Sequence, residues 1–304
     1  MDNDRLGTRS WLVLIIGLLS IFRFDGLIRV EAEELPIIGR INLTYDQYKA
    51  ITKDLQAREY RPISLNVYRI KRENLHAAIW MRAGQVPWQE RYNRTSKEYQ
   101  ADTKTLQDEE FRPISLQVQT VEAQPRFTVI WKKLESEIYY FRDHVKLSDL
   151  RKFSADYAQR EIYPVSLCGL EVRGEPLFSA IWEKTRPGSV EFQVGLTESA
   201  YRQQSEALRA KGFLPNFLSG YTVKGKPLLT AIWTQQSDVT VDAFPVLSEA
   251  EWQKQSALHD KNGFDLQCLQ ANVMAGKPRF SAIWRRVKDI SPEPEGDKPN
   301  ATPK

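Results

Sequence analysis

The sequence predicts an α/β (α+β) repeat protein: five 51-residue units, each a helix followed by a β-hairpin, with a third short strand suggested after the hairpin, stacked as an arc or closed ring. Three observations carry this. Ala77-Ala78-Ile79-Trp80 returns as Thr128-Val129-Ile130-Trp131, Ser179-Ala180-Ile181-Trp182, Thr230-Ala231-Ile232-Trp233 and Ser281-Ala282-Ile283-Trp284, at a step of 51 residues each time. No insertion or deletion interrupts the copies, and self-similarity at a fixed period marks a repeat architecture. A helix-start signal and a proline-led strand recur in the same register, giving every unit one helix and one hairpin.

Taken in order, residues 1–32 read as a targeting segment or anchor. Arg5 and Arg9 precede the apolar run Trp11–Phe22, which is too short to span a hydrocarbon layer but suits a signal-peptide core. Val30-Glu31-Ala32 supplies small residues for cleavage after Ala32. A lead-in (33–42) is followed by units over 43–93, 94–144, 145–195, 196–246 and 247–289. The tail, 290–304, is rich in proline and poor in apolar residues and is expected to be disordered.

Each unit opens on a helix. Thr44, Thr95, Thr197 and Ser248 stand where an N-cap belongs, and Gln47, Glu98 and Glu251 complete a capping box in three units. Tyr48, Thr52 and Leu55, like Tyr99, Thr103 and Leu106, are spaced to share one face, so a surface helix with a single buried stripe is expected. Gly212 and Gly263 mark its end, a column that Glu59, Glu110 and Glu161 fill elsewhere.

The first hairpin strand is Tyr60-Arg61-Pro62-Ile63-Ser64-Leu65 and its counterparts, with proline fitting the first strand residue. Its invariant column is Leu65, Leu116, Leu167, Leu218 and Leu269. Turns such as Arg173-Gly174 reverse the chain into the strand that ends in tryptophan. Along that strand Phe178, Ala180 and Trp182 face one way and Ser179 and Ile181 the other, so both faces should be covered. Segments such as Val190–Val194 alternate enough to suggest the third strand at the end of the unit.

The chemistry in the sequence is sparse. The net charge of +4, from 43 basic and 39 acidic residues, is mild and a poor argument for nucleic acid, which would want a clustered basic face, so no nucleic-acid partner is expected. The three histidines (His76, His144, His259) occupy three different columns, so neither a metal site nor a repeated general base emerges. No nucleophile elbow, phosphate loop or Cys-x-x-Cys is present, and no cofactor is implied. Cys168 and Cys268 sit in different columns and read as free buried thiols, with a bridge open only if the array closes on itself.

Trp80, Trp131, Trp182, Trp233 and Trp284 could line a ligand groove. Identity in every unit fits packing better, so with the leucine column they are assigned to the repeat core. Recognition should then sit in columns that vary. Arg61, Arg112 and Tyr163, from one such column, and the linker aromatics Trp88, Tyr139 and Tyr140 are the candidate binding residues, against the alternative of a solvated edge.

The pattern Tyr/Phe-Arg-Pro-x-Ser-Leu … Gly-x-Pro-x-Phe-x-Ala-Ile-Trp, on a period near fifty, resembles the bacterial tandem repeat domain family. Similar repeats form the amino-terminal part of some secreted β-lactamase-like hydrolases, the fungal polyglycine hydrolases among them. The resemblance covers residues 43–289 and implies a non-catalytic recognition module. It carries over no catalytic residue. The first unit departs from the pattern with Arg72-Glu73-Asn74, the fifth with Leu266 in place of the strand proline, as terminal units do. The expectation is an exported module, periplasmic, cell-surface or secreted, that binds a protein, peptide or extracellular polymer. A hydrolase, or a hydrolase-associated recognition protein, is the alternative, and a membrane contact would run through an uncleaved amino terminus.

Overall fold

The structure is a computed structural model, and it describes residues 36–122, 124–133, 138–184 and 190–288. The proposed targeting segment and tail lie outside the described residues. Those described fall in one compact unit, Leu35–Lys304.

The first repeat is β1 (Ile37–Leu43), α1 (Tyr45–Gln56), β2 (Tyr60–Ile70) and β3 (Glu73–Arg82). The second is β4 (Trp88–Arg94), α2 (Ser96–Asp108), β5 (Phe111–Val121) and β6 (Gln124–Lys133). The third is β7 (Tyr139–Val145), α3 (Leu147–Ala158), β8 (Ile162–Val172) and β9 (Glu175–Lys184). The fourth is β10 (Val190–Leu196), α4 (Glu198–Arg209), β11 (Phe213–Val223) and β12 (Lys226–Gln235). The fifth is β13 (Val239–Leu247), α5 (Glu249–Lys261), β14 (Asp265–Met274) and β15 (Lys277–Val287).

Each repeat holds a separate three-stranded antiparallel sheet, in the order β1-β3-β2 in the first, with the tryptophan strand central. This corrects the framing expected from the sequence. The strand after each tryptophan pairs forward: β4 pairs with β6, not with β3, so the structural unit runs strand, helix, strand, strand. Unit boundaries at 43, 94, 145, 196 and 247 therefore cut at the junction of strand and helix, and the lead-in contributes β1. A second correction concerns proline. Pro62, Pro113, Pro164 and Pro215 are third, not first, in their strands, each opposite the tryptophan and beside a β-bulge. The irregular ladder there tolerates a residue without an N–H.

Thr44, Thr95 and Ser248 form complete capping boxes with Gln47, Glu98 and Glu251, and Thr197 accepts from Ala200 N–H. Lys146 leaves the third helix without a side-chain cap. Gly212 and Gly263 adopt positive φ after their helices, and Glu59, Glu110 and Glu161 take the same left-handed conformation at φ 64°, 65° and 60°. The hairpins turn through Arg173-Gly174, Lys224-Gly225 and Ala275-Gly276, with both residues at positive φ as a type I′ turn requires.

The two faces of the tryptophan strand are used differently. The indole faces its own helix: Trp80 stacks on Tyr48 at 5.6 Å, and Trp233 on Tyr201 at 5.8 Å. The preceding isoleucine packs backward. Ile130 joins the first repeat's core with Tyr48 and Trp80, and Ile181 joins the second's with Tyr99 and Trp131. Ile79 of the first repeat lies in the core of the fifth, with Trp252 and Trp284. The inner strands β2, β5, β8, β11 and β14 each pack on the next, and β14 packs on β2. The array is thus a closed ring of five sheets. Among the described residues no helix is long and apolar enough to cross a membrane.

Candidate functional site

The constant columns are spent on packing. All five tryptophans are 0% exposed, and Leu65, Leu116, Leu167, Leu218 and Leu269 are buried beside them. Three indoles donate to a hydroxyl on their own helix: Trp80 to Thr52 at 3.0 Å, Trp182 to Ser154 at 3.0 Å and Trp233 to Ser205 at 3.1 Å. Trp284 instead stacks on His259 at 4.6 Å.

The inner strands surround an axial cavity of about 210 Å³, lined by apolar side chains such as Ile79 and Phe217 and by polar ones that include Ser64, Gln117 and Gln270, with Cys168. Several of them staple neighbouring repeats. Gln117 accepts from Val67 N–H at 3.0 Å and donates to its carbonyl at 3.3 Å. Cys168 and Cys268 are free and buried, the second donating to Leu218 O at 3.5 Å. Burial pushes their thiols up, to about 11 and about 12, so both stay protonated and unreactive near neutrality.

A second cluster fills the seam between the first helix and β4. Tyr45 and Tyr48 donate to the two oxygens of Glu90 at 3.0 Å and 2.5 Å. His76 is 0% exposed, with Nδ1 2.9 Å from Leu43 O and Nε2 3.1 Å from the Tyr92 hydroxyl. Burial raises Glu90 above the ordinary carboxylate value and lowers His76 below the ordinary imidazole value. Both oxygens of the acid and both nitrogens of the base are therefore committed to partners. His144 sits 3.1 Å from Asp143, and His259 spans Gln255 O and Asp242, so the three imidazoles stay in three repeats. Among the described residues no His, Cys, Asp and Glu cluster could hold a metal ion.

The six candidate binding residues divide between seams. Arg61 and Trp88 come together, lining a pocket of about 180 Å³ between the first and second repeats with Tyr60 and Gln56. Arg112 and Tyr139 meet at the next seam: Arg112 Nη1 is 3.0 Å from Glu183, and the Tyr139 hydroxyl donates to Phe111 O at 3.4 Å. Tyr140 stands apart, stacked on Tyr157 at 4.2 Å and accepting from Arg160. Tyr163 is half-buried on β8, opposite Glu183 in the strand register. Arg61 and Arg112 are no solvated edge, being only 5% and 7% exposed.

Glu183 and Glu90 escaped sequence reasoning. Each is one acid in a column otherwise filled by other residue types: Met81, Lys132, Thr234 and Arg285 beside Glu183, and Gly39, Phe141, Phe192 and Ala243 beside Glu90. A lone acid among unlike residues, one position past an invariant tryptophan, was the signal available for Glu183.

The family model described as polyglycine hydrolase-like, structural repeat, matches residues 39–83, 85–134, 147–185, 188–236 and 247–287. These five segments follow the ring repeat by repeat and cover well over half of the chain. No curated protein matches it.

Proposed function

The chain belongs to the polyglycine hydrolase-like structural repeat family, and from that premise we propose that it is a non-catalytic, extracytoplasmic recognition ring that binds a protein, peptide or polymer partner. One observation carries the reading: invariant positions are consumed by the core, while Trp88 and Arg61, from columns that vary around the ring, line an open pocket at one seam. Tryptophan and arginine are the side chains that most often dominate binding energy. Catalysis would need titratable groups converging on a cleft with a free base; here Glu90 of the first seam is already engaged by Tyr45 and Tyr48, and His76 by Leu43 O and Tyr92.

A second reading, that the ring delivers substrate to a hydrolase, is favoured by the hydrolase in the family's description. The two share a test. Purified protein is assayed against ester, peptide, glycoside and β-lactam substrates beside a variant with His76, His144 and His259 all replaced by alanine. No turnover above background is expected; turnover that vanishes in the triple variant overturns the non-catalytic reading. The extracytoplasmic part rests on residues 1–32. Mass spectrometry of the secreted protein should place the amino terminus at Glu33, and Met1 on cytoplasmic protein contradicts export.

A further inference from the structure

The ring repeats its seams, so one seam can be read against the next. Between the second and third repeats Arg112 is buried and held by Glu183 at 3.0 Å. Arg61 stands 51 residues before Arg112, on the same strand of the preceding repeat, and is as deeply buried. The residue 51 before Glu183 is Lys132, so the carboxylate that receives Arg112 has no counterpart for Arg61. Its Nε and Nη1 are sealed from solvent and make no hydrogen bond; the same two atoms of Arg112 make none either, but there the Glu183 carboxylate stands 3.0 Å from Nη1 as a counter-charge. Burial pulls the guanidinium below its ordinary pKa, and Arg112 nearby adds to that. A buried cation without a counter-charge is costly, because desolvation is not repaid.

The aromatic position differs in the same direction. Trp88 occupies the place of Tyr139 and has no hydroxyl to make the bond that Tyr139 makes to Phe111 O. At the first seam Arg61 and Trp88 instead line an open pocket of about 180 Å³.

We propose that this pocket is a carboxylate-binding site: the ligand's carboxylate pairs with Arg61 as the counter-charge that Glu183 supplies to Arg112, and Trp88 forms the wall for the ligand's apolar part. A planar carboxylate matches the guanidinium fork. Glu59 also lines the pocket, and its negative charge disfavours a dianion such as sulfate or phosphate at the same place. The inference deepens the recognition reading and rests on it for its biological use, but not for its test.

The test is calorimetric titration and thermal shift of the full chain with benzoate, acetate, neutral benzamide and sulfate. Benzoate should bind saturably with one site and raise the melting temperature, acetate more weakly, and benzamide and sulfate should do neither. Lys132→Glu installs the missing partner. It should raise the melting temperature without ligand and weaken benzoate by roughly tenfold or more, the loss expected for one charge-assisted pair. Arg61→Met should abolish the response while keeping the circular dichroism spectrum; should it fail to fold, Lys132→Glu decides alone. No benzoate binding, an equal response to sulfate or benzamide, or benzoate binding unchanged in Lys132→Glu each overturns the assignment. The hydrolytic assays are blind to this site, so failure here leaves the recognition reading standing, and turnover there would leave this site standing.

Discussion

Asn66 in the first repeat accepts a hydrogen bond from the Ala271 N–H of the fifth at 3.3 Å, and its amide reaches Leu269 O at 3.5 Å. One side chain thus ties the two ends of the array, where Tyr68 also meets Phe280 edge-on at 5.9 Å. Asn66→Ala should cost on the order of 1–3 kcal/mol, because it leaves a buried backbone donor unpaired. Urea unfolding measures it, and a change below a few tenths of a kcal/mol would mean the contact does not close the ring.

The tryptophan column makes a larger demand. Trp182→Ala removes a fully buried indole and should cost roughly 3–5 kcal/mol through lost transfer energy and the cavity left behind. Ser154→Ala deletes only the indole's acceptor and should cost about 1–3 kcal/mol. Denaturant midpoints of the two variants give the ratio. An unchanged midpoint for Trp182→Ala would remove the column from the core.

His76 gives the protein a dependence on acid. Its folded-state pKa lies below the ordinary 6.5, burial being the larger cause. The unfolded chain therefore binds a proton first, and stability is lost as pH falls below about 6.5 through the folded value. Phenylalanine occupies the same column as Phe127, Phe178 and Phe280. His76→Phe should flatten the fall in melting temperature between neutral pH and pH 5, whatever it does to stability at pH 8. An unaltered slope would assign the acid limb to other groups.

Much of this fold can be read from single columns. Trp182, Leu167 and the capping pair Thr95–Glu98 announce themselves by recurrence or by a local rule acting over three or four residues. The pairing of β4 with β6 cannot be read that way. An alternating strand between two hairpins satisfies the same hydrophobic pattern whichever neighbour it joins. The burial of Arg61 was hidden for a related reason. Arginine in a varying column reads as surface, and only the ring geometry brings Arg112 to Glu183 in the next repeat. Trp88 and Arg61 were legible as candidates, while their meeting in one pocket required the seam.

The helix ends carry a removable strain. Glu161 holds φ 60°, a left-handed conformation that costs an L-residue about 1–2 kcal/mol and glycine little. Glycine also adds unfolded-state entropy, so Glu161→Gly should stabilise by a net ~0.5–1 kcal/mol, as the native Gly212 and Gly263 suggest. Its contact with Lys184, at 3.8 Å on the surface, contributes little against this. A lower melting temperature for the variant would show that the strain is offset elsewhere.

Ring closure is what places Ile79 in the fifth repeat's core and gives every seam a neighbour on both sides. Amide hydrogen exchange tests it directly, since an open array frays at its terminal units and a ring has none. The amides of Tyr60–Ile70 and Asp265–Met274 should be as protected as those of Ile162–Val172 and should open together with them in rising denaturant. Early exchange of the first and fifth inner strands, with the third still protected, would contradict the closed ring.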